Sequence, residues 1–432
     1  MAEVHERDNP AEARLAAIRL PEEEAGWARA ARAAALARLR RTGLPNQRDE
    51  YWRETDPSAF VAPEPVPAAP LVTDEPPVFD AIDRLKVVFV DGVFDPEASD
   101  PLALDHVEIE RLADVLQADI HWARDLFGRL EETAHDPVPR PFAALNTAVA
   151  GDGIVIRVRG RAPKPISLIY LHRDDRSDAV LHHLVRIEPG AELTLLENGP
   201  AAARFNQLLE VEVAAGGSFH HVRAQGRDHE RRAVTHLVGR VAEGGVLKSF
   251  TLTANGALSR NEYVVRLEGA EAVTHLAGAA VGDGAVHPFH HDDTIFVTHA
   301  AESCESRQVF KKVLRNGAVG VFQGKILVRS VAQKTDGYQL SQGLMLDGDS
   351  RFFAKPELEI YADDVKCSHG STCGAIDEEQ LFYLRARGVP RPEAENLLVL
   401  AFLAEALEEI EDPALADDIR ARLEAWLRRR QG

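Results

Sequence analysis

Four stretches of this chain share one form: a strand-like run, two residues, a glycine-containing turn and a second strand-like run. They read IEPGAELT from Ile187, VAAGGSFH from Val213, VAEGGVLK from Val241 and LEGAEAVT from Leu267, the last with its turn one residue early. The start positions 187, 213, 241 and 267 step by 26, 28 and 26 residues. Looser copies follow in LRNGAVGVF and LDGDSRFF. A sandwich gives turn signals without a constant longer period, whereas the coils of a solenoid give this one. Around the copies, GIVIRVRG, PISLIYLH, LLEVEVAA and VVRLEG alternate with the period of a strand. Each coil leaves an apolar face that only its neighbours can bury, so the copies must stack. Two-faced strands with small residues at their corners predict a parallel β-helix over residues 151–365.

The flanks read as helices, which makes the whole a mainly β chain with α. In the N-terminal region, residues 1–150, Pro21 divides two helical patterns, and Trp27, Ala31, Ala35 and Leu39 recur at the spacing of a packed face. Arg38, Arg40 and Arg41 stand in that helix's last turn, where the macrodipole favours cations. Residues 61–80 hold Pro63, Pro65, Pro67, Pro70, Pro76 and Pro77 and predict an extended surface linker. LKVVFVDGVFDP predicts a hairpin around Asp91-Gly92. Residues 106–130 predict helices with Leu112, Leu116, Ile120, Leu126 and Phe127 on the core side. In the C-terminal domain, residues 366–432, Asp377 and Gln380 have capping-box spacing and Gly388 takes the C′ position before Pro390. A second helix is expected from Pro392 to Glu411 and a third from Asp412-Pro413 through Leu427.

Composition excludes whole classes of partner. The net charge of −19 argues against nucleic acid. The densest apolar run, LLVLAFLAEAL, is interrupted by Glu405 and falls short of a membrane span. Three cysteines, Cys304, Cys367 and Cys373, cannot build a disulfide framework and point to a reducing compartment. The N-terminus has no apolar signal region. Together these predict a cytoplasmic protein with neither a nucleic-acid nor a membrane partner.

Two stretches carry groups able to do chemistry. In the junction from Lys355 to Gly388, KPELEIYADDVKCSHGSTCGAIDEEQLFYLRARG, Cys367 and His369 stand two residues apart and face one way on a strand. A thiol and an imidazole so placed suit soft-metal or sulfur chemistry, and a site shared across an interface would supply the missing ligands. The bland alternative packs Cys367 as a small apolar residue and lets His369 cap a turn, with Cys373 inert. In HPFHHDDTIFVTH, His287, His291 and His299 are candidate metal ligands beside Asp292 and Asp293, or members of a polar ladder. GVFQGKI lacks the spacing of a phosphate loop and the hydroxyl after Lys325, so ATP hydrolysis is not expected. No nucleophile elbow or dinucleotide fingerprint occurs either, and the chain reads as a non-catalytic protein.

DDVKCSHGSTCGAIDEEQLFYLRARG, closing a β-rich domain and opening a helical one, resembles the SufB/SufD family of iron–sulfur cluster assembly scaffolds. Upstream, GLPNQRDEYWRETD matches the family at Trp52, Arg53, Thr55 and Asp56, with Glu54 in place of the usual aromatic. PFAALN is again similar, as are His299, Ser306 and VFQGKILV. The Cys-Ser-His-Gly sequence and the lack of a long cysteine-bearing N-terminal segment favour the SufD branch. The resemblance implies a right-handed parallel β-helix core flanked by N-terminal and C-terminal helical regions. It implies pairing with SufB through the β-helices, and docking of the SufC ATPase on the C-terminal domain around Phe382, Tyr383, Arg387 and Gly388. A transient iron–sulfur cluster or iron would form at the SufB interface, with His369 and Cys367 as the residues that serve it. No tightly bound cofactor is expected in the isolated chain, which could pair as a homodimer. The resemblance also associates reduced flavin with the complex, and no residue here places it. Two other classes stay open: a stand-alone metal-binding β-solenoid and a carbohydrate-active β-helix enzyme.

Overall fold

The computed structural model describes residues 10–429 apart from 22, 71–76 and 227–228, so part of the proline-rich linker, Pro76 included, lies outside the described residues. Its centre is a pair of facing sheets of ten and nine strands, between which the chain alternates. Each coil gives one strand to each sheet, and successive coils pair in parallel: the fold is a parallel β-helix. Val158, Ile187, Val213, Val241, Leu267, His299, Val328 and Ile360 form one in-register ladder along it. The four repeat starts seen in the sequence are therefore stacked partners.

The corner after this ladder explains the glycines. Gly190, Gly216 and Gly244 adopt left-handed φ of 69°, 63° and 60°. That conformation costs glycine nothing. Each then donates its N–H to the next coil: Gly190 to the Ala215 carbonyl at 3.0 Å, Gly216 to Glu243 at 2.8 Å and Gly244 to Ala270 at 2.8 Å. Later coils keep the left-handed residue but not the glycine, using Glu271, Ser303 and Lys334 at 60°, 58° and 60°. This is why the repeat fades in the sequence after Leu267. The looser copies LRNGAVGVF and LDGDSRFF belong to the opposite corner, the first joining Glu305–Arg315 to Val319–Val328. The next members of the ladder start at His299 and Val328.

The two ends of the solenoid differ. At its start, Val93–Phe94 folds back antiparallel on Leu85–Val90 around left-handed Asp91 and Gly92, the expected hairpin. The strand Val107–Arg111 closes the other sheet, antiparallel to Ile154–Val158. The helical pattern of residues 106–130 is realised only in part: they open with this strand and continue in the short helices Leu112–Val115, Trp122–Asp125 and Arg129–Thr133. Ile120 is 88% exposed rather than in the core, while Leu112, Leu116, Leu126 and Phe127 are buried. At the other end, Arg351–Ile360 and Val365–Gly374 finish the two sheets, each with no further strand beside it among the described residues. The solenoid thus extends past residue 365 by one strand.

Helices cover both outer faces. The N-terminal helices pack on the nine-stranded sheet through Leu184, Leu208, Val238, Val264 and Phe296. Glu210, fully buried on that face, accepts the N–H groups of Gly128, Leu130 and Glu131 at 2.6, 2.7 and 3.0 Å and so caps the helix Arg129–Thr133. Arg38 points inward to a buried pair with Glu131 instead of merely facing a helix end. The C-terminal helices Glu378–Ala386, Arg391–Leu407 and Pro413–Arg429 form a module on the ten-stranded sheet. There Val399, Leu403, Ile410 and Leu423 join one apolar cluster with Val222, Phe250, Val309 and Val313.

Two glycines should separate strain from crowding. A Cβ on Gly199, whose φ is 79°, would lie 2.3 Å from the Gln225 Cα, whereas one on Gly244 meets nothing within 4 Å. Gly244→Ala should cost about 1–2 kcal/mol, the left-handed penalty alone. Gly199→Ala should cost about 1–3 kcal/mol more through overpacking. Chemical unfolding of the two variants checks the order.

Candidate functional site

Parallel in-register pairing puts paired residues on the same face. The terminal strand Val365–Gly374 lies against Thr335–Met345 with Gly337 beside Cys367, Gln339 beside His369, Ser341 beside Ser371 and Gly343 beside Cys373. Because Gln339 and Ser341 are buried inside the solenoid, Cys367, His369, Ser371 and Cys373 share the inward side of the last coil. Among the described residues no later strand covers them. The corner before the strand is fixed by the Asp364 N–H on Gln333 Oε1 at 2.9 Å and by the Lys334 N–H on the Asp364 carbonyl at 2.6 Å.

The residues differ in environment along that strand. Cys367 is half-buried against the small cluster of Ile326, Val328, Ala332 and Ala362. Burial pushes its thiol pKa up, which keeps it protonated when unliganded. A Cβ on Gly337 would stand 3.2 Å from the Cys367 Sγ, so the glycine leaves room for the sulfur to fold inward. His369 is exposed. Cys373 is exposed, with its Sγ 3.7 Å from Met345 Sδ, and Cys304 is buried in a corner turn with its Sγ 3.2 Å from the Gly269 carbonyl. The structure thus brings Cys367 and His369 to one face of one free edge. Sequence reasoning missed Gly337; the signal was a glycine one coil upstream of the cysteine.

His287, His291 and His299 are held apart. His287 sits on a surface corner 3.8 Å from Glu230. His291 is buried inside the solenoid, bonded to Asn261 Nδ2 at 3.1 Å and Lys312 Nζ at 2.7 Å. Burial and then Lys312 hold its imidazole well below the usual range. His299 ends the same strand, eight positions on, inside the aliphatic ladder, with Nε2 2.8 Å from Ser306 Oγ. Among the described residues no group of three or more His, Cys, Asp or Glu side chains is placed to hold a metal ion.

The interior is more polar than alternation suggested. Glu197 is fully buried and receives Arg223 Nε at 3.1 Å, His221 Nε2 at 3.1 Å and Gln207 Nε2 at 3.1 Å. Burial alone would raise the Glu197 carboxyl, but Arg223 and His221 hold it well below the usual carboxylate range. The network runs on through Thr235 and Asn261 to Asp293 and Lys312.

In the C-terminal module, Asp377 caps its helix by accepting the Glu379 and Gln380 N–H groups at 2.9 and 3.1 Å, and Gly388 is left-handed with φ 87°. Phe382 and Tyr383 stand 73% and 57% exposed, and Arg387 stacks 3.4 Å from the Tyr383 ring centroid. Phe382, Tyr383 and Arg387 form an aromatic and cationic patch on the outer side of the module, next to the helix end at Gly388.

Fold and site together define a β-solenoid protein whose thiol and imidazole side chains lie on a terminal strand with one edge unpaired among the described residues, and whose helical module presents aromatic side chains to solvent. The model of the SufBD core domain of the SUF iron–sulfur cluster assembly system matches residues 170–402, and that of the SufBD N-terminal region matches residues 17–165. The chain belongs to this SufBD family. It is 29% identical over 412 residues to the iron–sulfur cluster assembly protein SufD of Escherichia coli strain K12, covering 90% of both chains. It is likewise 29% identical over 418 residues to a SufBD family protein of Synechocystis, covering 87% of this chain and 86% of that one. With SufD of Bacillus subtilis the identity is 27% over 282 residues, 62% of this chain and 63% of the relative.

The interior histidines make a pH test. Burial holds His183 and His299 neutral, each with a pKa lowered to about 4. An unfolded imidazole takes up its proton near pH 6.5, so between about 6.5 and 4 the unfolded chain binds more protons than the folded one. Stability therefore falls as pH falls through that window, by up to about 3 kcal/mol per histidine. His299→Leu restores an aliphatic rung between Leu267 and Val328 and removes one of the two. The loss of unfolding free energy between pH 7 and pH 5 should be about 2 kcal/mol smaller in the variant, measured by denaturant titration.

Proposed function

We propose that this chain is the SufD-type, non-catalytic scaffold subunit of a cytoplasmic SUF assembly complex. A SufB-like subunit pairs with its free solenoid end, and a SufC-like ATPase docks on the C-terminal module. The nascent iron–sulfur cluster is cargo at the seam between the two solenoids. One observation carries the proposal: Cys367 and His369 occupy one face of a terminal strand whose outer edge lacks a strand partner among the described residues. Two or three ligands from one chain do not complete a soft-metal site, and a second chain laid along that edge would bring the rest.

The two terminal strands differ as docking edges. Arg351–Ile360 is braced from outside, since Tyr51 Oη donates to Glu357 at 2.6 Å and Lys355 lies 4.0 Å from the Tyr51 ring centroid. Val365–Gly374 has its inward face open, and among the described residues no strand pairs with its outer edge. An unpaired parallel edge is a ready template for another strand.

His369→Ala should leave unfolding free energy within about 1 kcal/mol of the parent, because the side chain is exposed. Cluster formation in the reconstituted complex should fall to near background, and Cys367→Ala should be milder. Assembly at the parent rate by His369→Ala in an intact complex would refute the role given to this edge.

The ATPase side needs a different test. Deleting the helical module would uncover the apolar outer face of the ten-stranded sheet, so point changes are cleaner. Phe382→Asp with Tyr383→Asp should weaken SufC binding at least tenfold in calorimetry, since exposed aromatics of this kind act as interface anchors. The circular dichroism spectrum should not change, and unaltered affinity would move the docking site elsewhere.

A further inference from the structure

Beneath His369 the solenoid holds an incomplete ladder of amides. Gln308 and Gln339 are in-register partners on adjacent coils, and both are fully buried. Gln339 Nε2 donates to Gln308 Oε1 at 2.8 Å. The Gln339 Oε1 has no hydrogen-bond partner, nor does the Gln308 Nε2. A buried carbonyl oxygen left unpaired costs about 1–3 kcal/mol, so such an atom marks a place where a donor is expected. Amide ladders in parallel stacks propagate rung to rung, and the next rung after Gln339 is His369.

The Gln339 amide is also held in place. A Cβ on Gly324, in the facing sheet, would lie 2.3 Å from Gln339 Nε2 and 2.8 Å from its Cδ. A side chain at that position would push the amide from where it now lies. With its nitrogen committed to Gln308, the carbonyl oxygen is the atom left over for the open side. Ser341 and Ser371, the neighbouring inward pair, show that rungs do bond across this last step, with 3.0 Å between their hydroxyls.

We propose that Gln339 is a positioning residue for His369: its Oε1 accepts one imidazole N–H and leaves the other ring nitrogen, with its lone pair, facing the free end. A neutral imidazole carries one N–H, and the hydrogen bond made by one nitrogen fixes which nitrogen can act as ligand. His369 then reaches a partner surface as a ligand of defined tautomer and orientation. This deepens the reading of His369 as a cluster-assembly residue and rests on it for its purpose, though not for its geometry.

The test reads the tautomer directly, in the isolated full-length chain. Two-bond proton–nitrogen correlation spectra of 15N-histidine-labelled protein at about pH 8, where an ordinary imidazole is neutral, report which ring nitrogen of His369 carries the proton. His369→Ala supplies the assignment. The parent should show one dominant tautomer. Gln339→Met, which keeps length but removes the acceptor, should give a mixture of both. Gln339→Glu should restore the single tautomer, since a carboxylate oxygen accepts the same bond and Gln308 can turn its unpartnered nitrogen toward the other. A parent that is itself a mixture, or a Gln339→Met variant that keeps one tautomer with unchanged circular dichroism, overturns the proposal. Normal cluster assembly by His369→Ala would instead overturn the assembly role and leave the tautomer result standing.

Discussion

Parallel in-register stacking governs the rest of this molecule. Every strand of the solenoid interior satisfies its backbone by pairing with the coil before and the coil after, so each coil depends on two neighbours. Such an array must stop somewhere, and the chain stops it differently at its two ends. The start is closed by antiparallel strands, a two-residue hairpin arm on one sheet and Val107–Arg111 on the other. The finish presents two full-length strands, Arg351–Ile360 and Val365–Gly374. The asymmetry puts the unmet hydrogen-bonding capacity at the end that also carries Cys367 and His369.

The outer faces complement that axis with opposite charge logic. On the nine-stranded sheet, the acids Glu210, Glu262 and Asp292 are buried under the N-terminal region, and Glu262 is paired with Arg140 at 2.9 Å and Arg260 at 2.6 Å. Removing one member of such a pair costs about 3–5 kcal/mol, so this covering is firmly anchored. On the ten-stranded sheet the sheet supplies the bases. His275 and Arg307 meet Glu409 at 3.0 and 2.5 Å, Lys311 meets Glu405 at 2.7 Å, and His220 meets Glu411 at 3.3 Å. Several of these side chains are partly exposed, which weakens and screens their pairs. The C-terminal module is therefore held chiefly by its apolar cluster with the sheet.

What the sequence disclosed follows from which constraints are local. A left-handed corner is met most cheaply by glycine, so Gly190, Gly216 and Gly244 announced the period. Once Glu271, Ser303 and Lys334 took that position, the same corner became invisible, and glycines of the opposite corner stood in for it. Helix caps and the Asp91-Gly92 hairpin were legible for the same local reason. Arg38 and Ile120 were misread because their surroundings come from segments far along the chain. The pairing of Cys367 with His369 was visible as a two-residue spacing on a strand. The room that Gly337 makes, and the amides below His369, depend on which residues lie one coil back, and only the register reveals that. Alternation likewise marks a side as inward without saying that Glu197, Arg223 and Lys312 share it.

The free strand Val365–Gly374 also limits how a neighbour could move upon it. Strand pairing fixes side-chain direction with a period of two, so a slip of one residue turns every contact to the opposite face. A chain bonded along this edge could not creep past it in small steps. It could change its twist, because adjacent strands tolerate a wide range of angles. Forces reaching such a joint would be converted into swivelling about the strand axis, opening or closing the mouth of the solenoid while the register of its last rung stayed locked.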